Sequence, residues 1–252
     1  MTKSYQIQIG EKILTVVVSD EREALLAAQA AGRAVLGVGK SCEGLEIPAV
    51  AQDWSCVSRR MAEQTARRKE RLPWIICTGE RVTVREASQE DWRALQCWGP
   101  FREWPDQEAF QAYIDGQYSF YEYGLWLIEE KNTGLLLGRA GVWNPDEETC
   151  RRLEEAGEQS ETYLELGYEV FSPYQGQGFA AEACRAVMAY ADWELECRLC
   201  ARIRPDNLPS LKLAERLGFK RLREPNETNF SLIPSHRDSE EIQWPSLYVW
   251  SC

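Results

Sequence analysis

The stretch Ser172-Pro173-Tyr174-Gln175-Gly176-Gln177-Gly178-Phe179-Ala180 constrains this chain more than any other. A segment that reads as a strand, Thr162 to Phe171, runs into it, and a helical pattern from Gly178 to about Leu195 runs out of it. Two glycines at a strand-to-helix turn strip the entry of side chains. Successive backbone N–H groups can then converge on one cavity beside the positive end of the helix, which suits a phosphate or pyrophosphate. No Gly-Lys-Ser/Thr follows to hold a terminal phosphate and magnesium, which excludes a nucleotide-hydrolysing P-loop. The third glycine and the later acid of a dinucleotide site are also missing.

The rest of the pattern is α/β. Ile13 to Val18 predicts a strand, Asp20 a helix cap, Leu25 to Ala31 a helix ended by Gly32, and Ala34 to Val38 a second strand, a β-α-β order. A helix is expected over Cys56 to Arg71, and Pro73 closes the region. Such a stretch is short for a complete doubly wound domain, so residues 1–72 are read as a small Rossmann-like module and 73–252 as a second domain. In the second, Arg81 to Glu86 alternates like a strand and Ser88-x-x-Asp91 opens a helix to about Trp98 as a capping box. A helix from Pro105 to Tyr123 follows, then strands Leu125–Glu129 and Leu135–Val142 and a charged helix over Glu147 to Glu161. Beyond the glycine turn come a strand Leu199–Ile203, a helix Pro209–Leu217 and a strand Leu247–Trp250.

Charge narrows the partners. The net charge is −11, and residues 1–72 carry 11 basic and 9 acidic side chains against 18 and 31 in the remainder. An acidic second domain disfavours nucleic acid and anionic membranes and favours a cationic substrate. No apolar run approaches the roughly 18 residues of a bilayer span, and Met1 to Gln8 lacks a secretory layout, so a soluble, cytoplasmic protein is expected. The nine cysteines then read as reduced thiols. Cys197 and Cys200 have no second pair or nearby histidine to complete a zinc site, so no metal is expected; His236, the single histidine, reads as an exposed loop residue.

The glycine turn resembles the acyl-coenzyme A loop of the GNAT N-acetyltransferase superfamily, whose signature is Q/R-x-x-G-x-G/A; Gln175, Gly178 and Ala180 fill its positions. The ten residues from Glu165 to Gln175, the Pro205-Asp206-Asn207 turn, Ser210 and the Glu215-Arg216-Leu217-Gly218-Phe219 helix end follow the spacing of its ribosomal-protein and spermidine N-acetyltransferase branch. The resemblance implies an α+β GNAT fold: a mixed, mostly antiparallel sheet with splayed central strands and flanking helices. It implies acetyl-CoA as co-substrate and a primary amine (polyamine, small amine or protein N-terminus) as acceptor. A non-catalytic acyl-CoA-binding regulatory or scaffold protein is the competing reading, and a homodimer stays open.

By the same resemblance, Gln175, Gly176, Gln177, Gly178, Phe179 and Ala180 cradle the pyrophosphate. The strand Gly167–Phe171 should splay near Val170, freeing amides at Val170 and Phe171 for the pantetheine arm and the thioester oxygen. Asn207 and Ser210 should contact the cofactor from across the splay, Asn207 reading equally as a helix N-cap. An alkylammonium has no lone pair, so a group must take its proton. Glu165 stands at the family's position for that task, its plainer reading being an exposed strand carboxylate. Glu169, of the same parity, could help or bind the cation. Many relatives carry a tyrosine where Ala214 stands, which leaves the general acid to water, Tyr168 or Tyr190. The aromatic stripe Phe110, Tyr113, Tyr118 and Tyr121 reads first as core. Its alternative is one wall of an acceptor cleft, where Tyr121, Trp126 and Trp143 would hold a cation against their faces.

The segment from Val17 to Gly39 resembles the late metal-binding segment of haloacid dehalogenase-like phosphatases, with Asp20 at the first acid. Ala24 replaces the second acid and no D-x-D-x-T/V nucleophile loop is present, so the resemblance implies a degenerate module without phosphatase chemistry.

Overall fold

Val16, Val17 and Val18 are three β-branched residues in a row and all are buried, as a strand covered on both faces requires. In the computed structural model, which describes residues 1–45, 47, 49–222 and 245–250, they lie in β2 (Lys12–Ser19). Around it stand β1 (Thr2–Ile9), α1 (Arg22–Ala30), β3 (Ala34–Val38), β4 (Val50–Ala51) and α2 (Arg59–Lys69). The sheet runs β1-β2-β3-β4, with β1 antiparallel to β2 and the other pairs parallel. Leu25 and Ala28 of α1 cover Val17 and Val35, while Ala62 and Ala66 of α2 cover Val16, Val18 and Leu36. Helices on both faces of β2 and β3 give the Rossmann-like module the sequence predicts, with β1 as an addition. Asp20 does not cap α1. Glu21 is the N-cap residue and makes no side-chain cap bond, and Asp20 Oδ2 accepts from Trp54 Nε1 at 2.8 Å.

The chain continues through β5 (Ile75–Thr78), β6 (Val82–Arg85), α3 (Trp92–Leu95), α4 (Gln107–Tyr121), β7 (Leu125–Glu130), β8 (Leu136–Trp143) and α5 (Glu147–Glu155). After these come β9 (Tyr163–Val170), α6 (Phe179–Trp193), β10 (Arg198–Ile203), α7 (Leu208–Arg216), β11 (Lys220–Arg221) and β12 (Ser246–Trp250). The Ser88/Asp91 capping box forms as expected, on a 3-10 turn that leads into α3.

Contacts divide the chain into two compact units, residues 1–74 with 86–122 and residues 75–85 with 123–252. This differs from a single cut at residue 72, because 86–122 is tied to the first unit by polar contacts at buried positions. Arg68 of α2 donates to the Tyr118 carbonyl and lies 3.6 Å from buried Glu86, and the Trp74 amide donates to Glu86 Oε2 at 3.0 Å. The aromatic stripe of α4 follows its core reading at two of its four positions: Phe110 and Tyr118 are buried, Tyr113 is half-buried and Tyr121 exposed, and Trp104–Phe110 and Tyr113–Tyr118 meet edge-to-face.

The second unit is built on a sheet with eight strands among the described residues, order β11-β12-β10-β9-β8-β7-β6-β5. Every neighbouring pair of these is antiparallel except β9 and β10. A mixed, mostly antiparallel sheet flanked by helices is therefore the architecture. The parallel pairing runs only from Arg198↔Tyr163 to Cys200↔Glu165. Beyond it β9 stays paired with β8 as far as Val170 and β10 stays paired with β12 as far as Ile203, so the two part company. The splay thus opens directly after Glu165, five positions before the expected Val170. No helix among the described residues is long and apolar enough to cross a membrane. His236 and the stretch around it lie outside the described residues.

Candidate functional site

The glycine turn is built by local bonds that leave the amides of Gly176, Gln177 and Gly178 without a backbone acceptor among the described residues. Ser172–Tyr174 forms one 3-10 turn, Gln175 Nε2 reaches back to the Val170 carbonyl at 2.8 Å, and Gln177 Nε2 donates to Pro173 O at 3.1 Å. Gly176 and Gly178 take φ +73° and +85°, a left-handed conformation that side-chain-bearing residues adopt only at a cost. Gly178 is the N-cap of α6 and, having no side chain, makes no cap bond. The first-turn amides of α6 have no intrahelical acceptor and carry the positive end of the helix dipole. Phe179 is buried behind them and Ala180 half-buried. The residues expected around a diphosphate therefore form one turn.

The gap between β9 and β10 is a cavity of about 240 Å³ beside α7, lined among others by Leu166, Tyr168, Ile203, Asn207, Ser210 and Ala214. The Phe171 amide donates to Leu137 O on the β8 side at 2.8 Å. Backbone directions alternate along a strand, so the N–H groups of Val170 and Tyr168 face the gap, whereas that of Phe171 does not. Asn207 is the N-cap of α7, its Oδ1 accepting from the Ser210 amide at 3.2 Å; the capping reading holds, and its place in the lining leaves cofactor contact open to it as well. Tyr168 donates its hydroxyl to Ser210 Oγ at 2.9 Å, and burial raises the phenol above its ordinary value, with the serine bond opposing. Tyr190 instead packs edge-on against Trp126, 5.3 Å between centroids.

Glu165, Gly167 and Glu169 share one face of β9. Trp143 sits opposite Glu165 across the β8–β9 pair and lays its ring on Gly167, where a Cβ would come within 2.1 Å of the indole. Glu165 is not the exposed carboxylate of its plainer reading; it is 5% exposed. Arg202 Nε donates to its Oε1 at 3.0 Å, and Oε2 is buried with no hydrogen-bond partner among the described residues. The same guanidinium pairs with Asp146, which also caps α5 through Thr149. Burial pushes the Glu165 carboxyl above its ordinary range, and Arg202 pulls back only in part. Glu169 is half-exposed and accepts from Arg139 Nε at 2.9 Å.

One expected acceptor contact lies elsewhere. Trp126 is fully buried beneath α6, because β7 is covered on both faces. Tyr121 is 42% exposed on α4, in the first unit. Conversely, Arg81 and Glu182 join the turn without any local sequence signal. The Glu182 carboxylate accepts from the amides of Arg81 and Val82 at 2.6 and 3.1 Å and from Arg81 Nε at 3.0 Å. Arg81 Nη1 donates to Gln177 O at 3.0 Å. A separation of 101 residues hides this pair from any local pattern. The eight described cysteines are free thiols; burial pushes Cys184 up to about 12 and Cys197 to about 11, which keeps them protonated. No group of three or more His, Cys, Asp or Glu among the described residues could hold a metal.

Several known proteins are similar to this chain. Residues 81–220 match the family described as acetyltransferase (GNAT) domain. Over 150 residues, 57% of this chain and 82% of the relative, the sequence is 29% identical to an uncharacterized N-acetyltransferase of Bacillus subtilis (strain 168), YnaD. Over 100 residues, 39% of this chain, it is 32% identical to the uncharacterized protein YkkB of the same organism, and that match spans about half (52%) of YkkB. A solved acetyltransferase from Agrobacterium tumefaciens str. C58 is 21% identical and superimposes with a TM-score of 0.48, covering 70% of this chain and 94% of that one. Because the family match extends over more than half of its length, the chain belongs to the GNAT acetyltransferase family.

Proposed function

We propose that this protein is an acetyl-CoA-dependent N-acetyltransferase that transfers the acetyl group to a primary amine by direct attack in a ternary complex. One observation carries the reading. Among the described residues, the only parallel strand pair of the larger sheet opens directly after Glu165, and β9 then delivers the chain to a helix start with bare amides. A long, bent cofactor with a diphosphate at one end and a thioester at the other fits those two features together. Gly176 to Ala180 would hold the diphosphate. The N–H groups of Val170 and Tyr168 would line the arm and face the thioester oxygen, where a fixed donor favours developing negative charge.

Acetyl-CoA supplies an activated acetyl group; the chain's own residues handle the protons. Glu165 takes one from the incoming ammonium, directly or through water, its raised carboxyl being suited to that exchange near neutral pH. Glu165, Glu169 and Asp146 on the Trp143 side of the sheet favour a cationic acceptor, although Arg202 and Arg139 offset part of that charge. Tyr168 lines the cavity with Ala214 and presents a hydroxyl that acts as a donor there, to Ser210 Oγ, so it takes the general-acid role that the usual tyrosine position lacks. The N-terminal module, with Asp20 engaged by Trp54 and Ala24 at the second acid position, is given no catalytic role.

The test is free-thiol release from acetyl-CoA with a panel of polyamines, amino acids and N-terminal peptides. At least one amine should raise release well above the rate with water alone. Tight coenzyme A binding with no amine-dependent release would move the protein to the scaffold reading, which Ala214 favours. Tyr168→Phe should lower kcat about tenfold, less than the roughly hundredfold or more of an indispensable proton-transfer group because water can stand in, with coenzyme A affinity unchanged. An unaltered kcat would return the acid to water.

A further inference from the structure

We infer that Arg81 is a coenzyme-binding residue: it locks the glycine turn in place and turns its free guanidinium edge onto the diphosphate. The inference rests on the diphosphate reading of that turn and extends it to a residue in the loop before β6, far away in sequence. Three sides of the guanidinium are fixed. Nε donates to Glu182 Oε2 at 3.0 Å and Nη1 to the Gln177 carbonyl at 3.0 Å. The plane lies over Phe179, with Cζ 4.6 Å from the ring centroid. The fourth side is Nη2, which has no hydrogen-bond partner among the described residues and stands 3.3 Å from the point where a Gly178 Cβ would be. The donor therefore faces the one position in the turn where the backbone is bare and helical amides begin.

The electrostatics agree. A carboxylate in the first turn of α6 would oppose a bound anion if it were free. Burial works to push the Glu182 carboxyl up, but the amides of Arg81 and Val82 and the guanidinium outweigh it and hold it below the ordinary range. Its charge is thus engaged by Arg81 and by the two amides. Arg81 remains 47% exposed, so its outer edge stays accessible to a ligand. A guanidinium with two edges anchored and one free is preorganised for a phosphate oxygen, and less side-chain freedom is lost on binding than with a lysine.

Coenzyme A titrated calorimetrically into the full chain tests this, together with steady-state rates on acetyl-CoA and on S-acetyl-pantetheine, which lacks the diphosphate. Arg81→Ala should weaken coenzyme A binding and lower kcat/KM for acetyl-CoA by about tenfold or more, the span of a charge-assisted bond. It should leave kcat/KM for S-acetyl-pantetheine unchanged. Arg81→Lys keeps the charge without the fork and should fall between wild type and Arg81→Ala; it also serves if the alanine variant folds poorly, as judged by circular dichroism. Equal losses on both thioesters would mean that Arg81 only supports the fold, and the inference falls. Wild-type affinity in both variants overturns it too. Failure of the wild-type chain itself to bind coenzyme A would remove the diphosphate reading, and this inference with it, and that result shows in the first titration before any variant is made.

Discussion

Gly178→Val will weaken coenzyme A binding by about a hundredfold while the protein stays folded, a loss that corresponds to strain of a few kcal/mol placed on the binding conformation. Two costs coincide at this position. Gly178 holds φ +85° and ψ 0°, a region that a β-branched residue enters only under strain. A Cβ there would also lie 3.3 Å from Arg81 Nη2, tighter than ordinary contact, so the guanidinium would have to withdraw. The chain can relieve both by rotating the turn, which carries its amides out of convergence; stability is spared and binding is not. Gly176→Ala separates the two costs. Gly176 has a similar φ of +73° with nothing within 4 Å of the point where its Cβ would stand, so only backbone strain applies and the loss should be about tenfold or less. Calorimetric titration with coenzyme A reads both. Near wild-type affinity in Gly178→Val would mean that the turn does not hold a diphosphate.

The glycine turn is legible in the sequence because its chemistry is local: backbone conformation and helix polarity are settled within nine residues. The Ser88/Asp91 box and the buried run in β2 are legible for the same reason. β1 escapes a reading of the sequence although Tyr5, Ile7 and Ile9 alternate with polar residues, because only Ile7 is buried in it and the rest of the signal is weak. The opening of the sheet falls after Glu165 rather than at Val170, because the point where two paired strands part depends on the side chains that pack beside and between them, which neither strand's own pattern displays. Gly167 is the available hint: it is the residue that admits the Trp143 ring beside the opening. Trp126 lies in the core rather than at an acceptor cleft because four successive residues of β7 are buried, and alternation is silent on a strand covered on both faces. The division at residues 86–122 depends on Arg68 meeting Glu86 and Tyr118, a contact across 50 positions to Tyr118.

Glu165→Gln will lower kcat about a hundredfold near neutral pH, the usual effect of removing a general base, with coenzyme A affinity held within about twofold of wild type. The pH profile carries the stronger argument. Burial raises the Glu165 carboxyl above its ordinary range and Arg202 restrains the rise. The base works only when ionised, so wild-type kcat/KM should fall as pH drops through that raised value, and the glutamine variant should lose this acidic limb. Arg202→Gln then tests the sign. Without the guanidinium 3.0 Å away, the carboxyl should rise further, moving the acidic limb to higher pH while the plateau above it keeps most of its height. The competing role for Glu165 is mechanical. It is the last paired residue before β9 and β10 separate, and its ion pair could simply pin that fork. If pinning were its whole contribution, Glu165→Gln and Arg202→Gln would depress kcat alike at every pH and leave the limb where it was. A limb that shifts in one variant and vanishes in the other requires a proton at Glu165 to be part of the reaction.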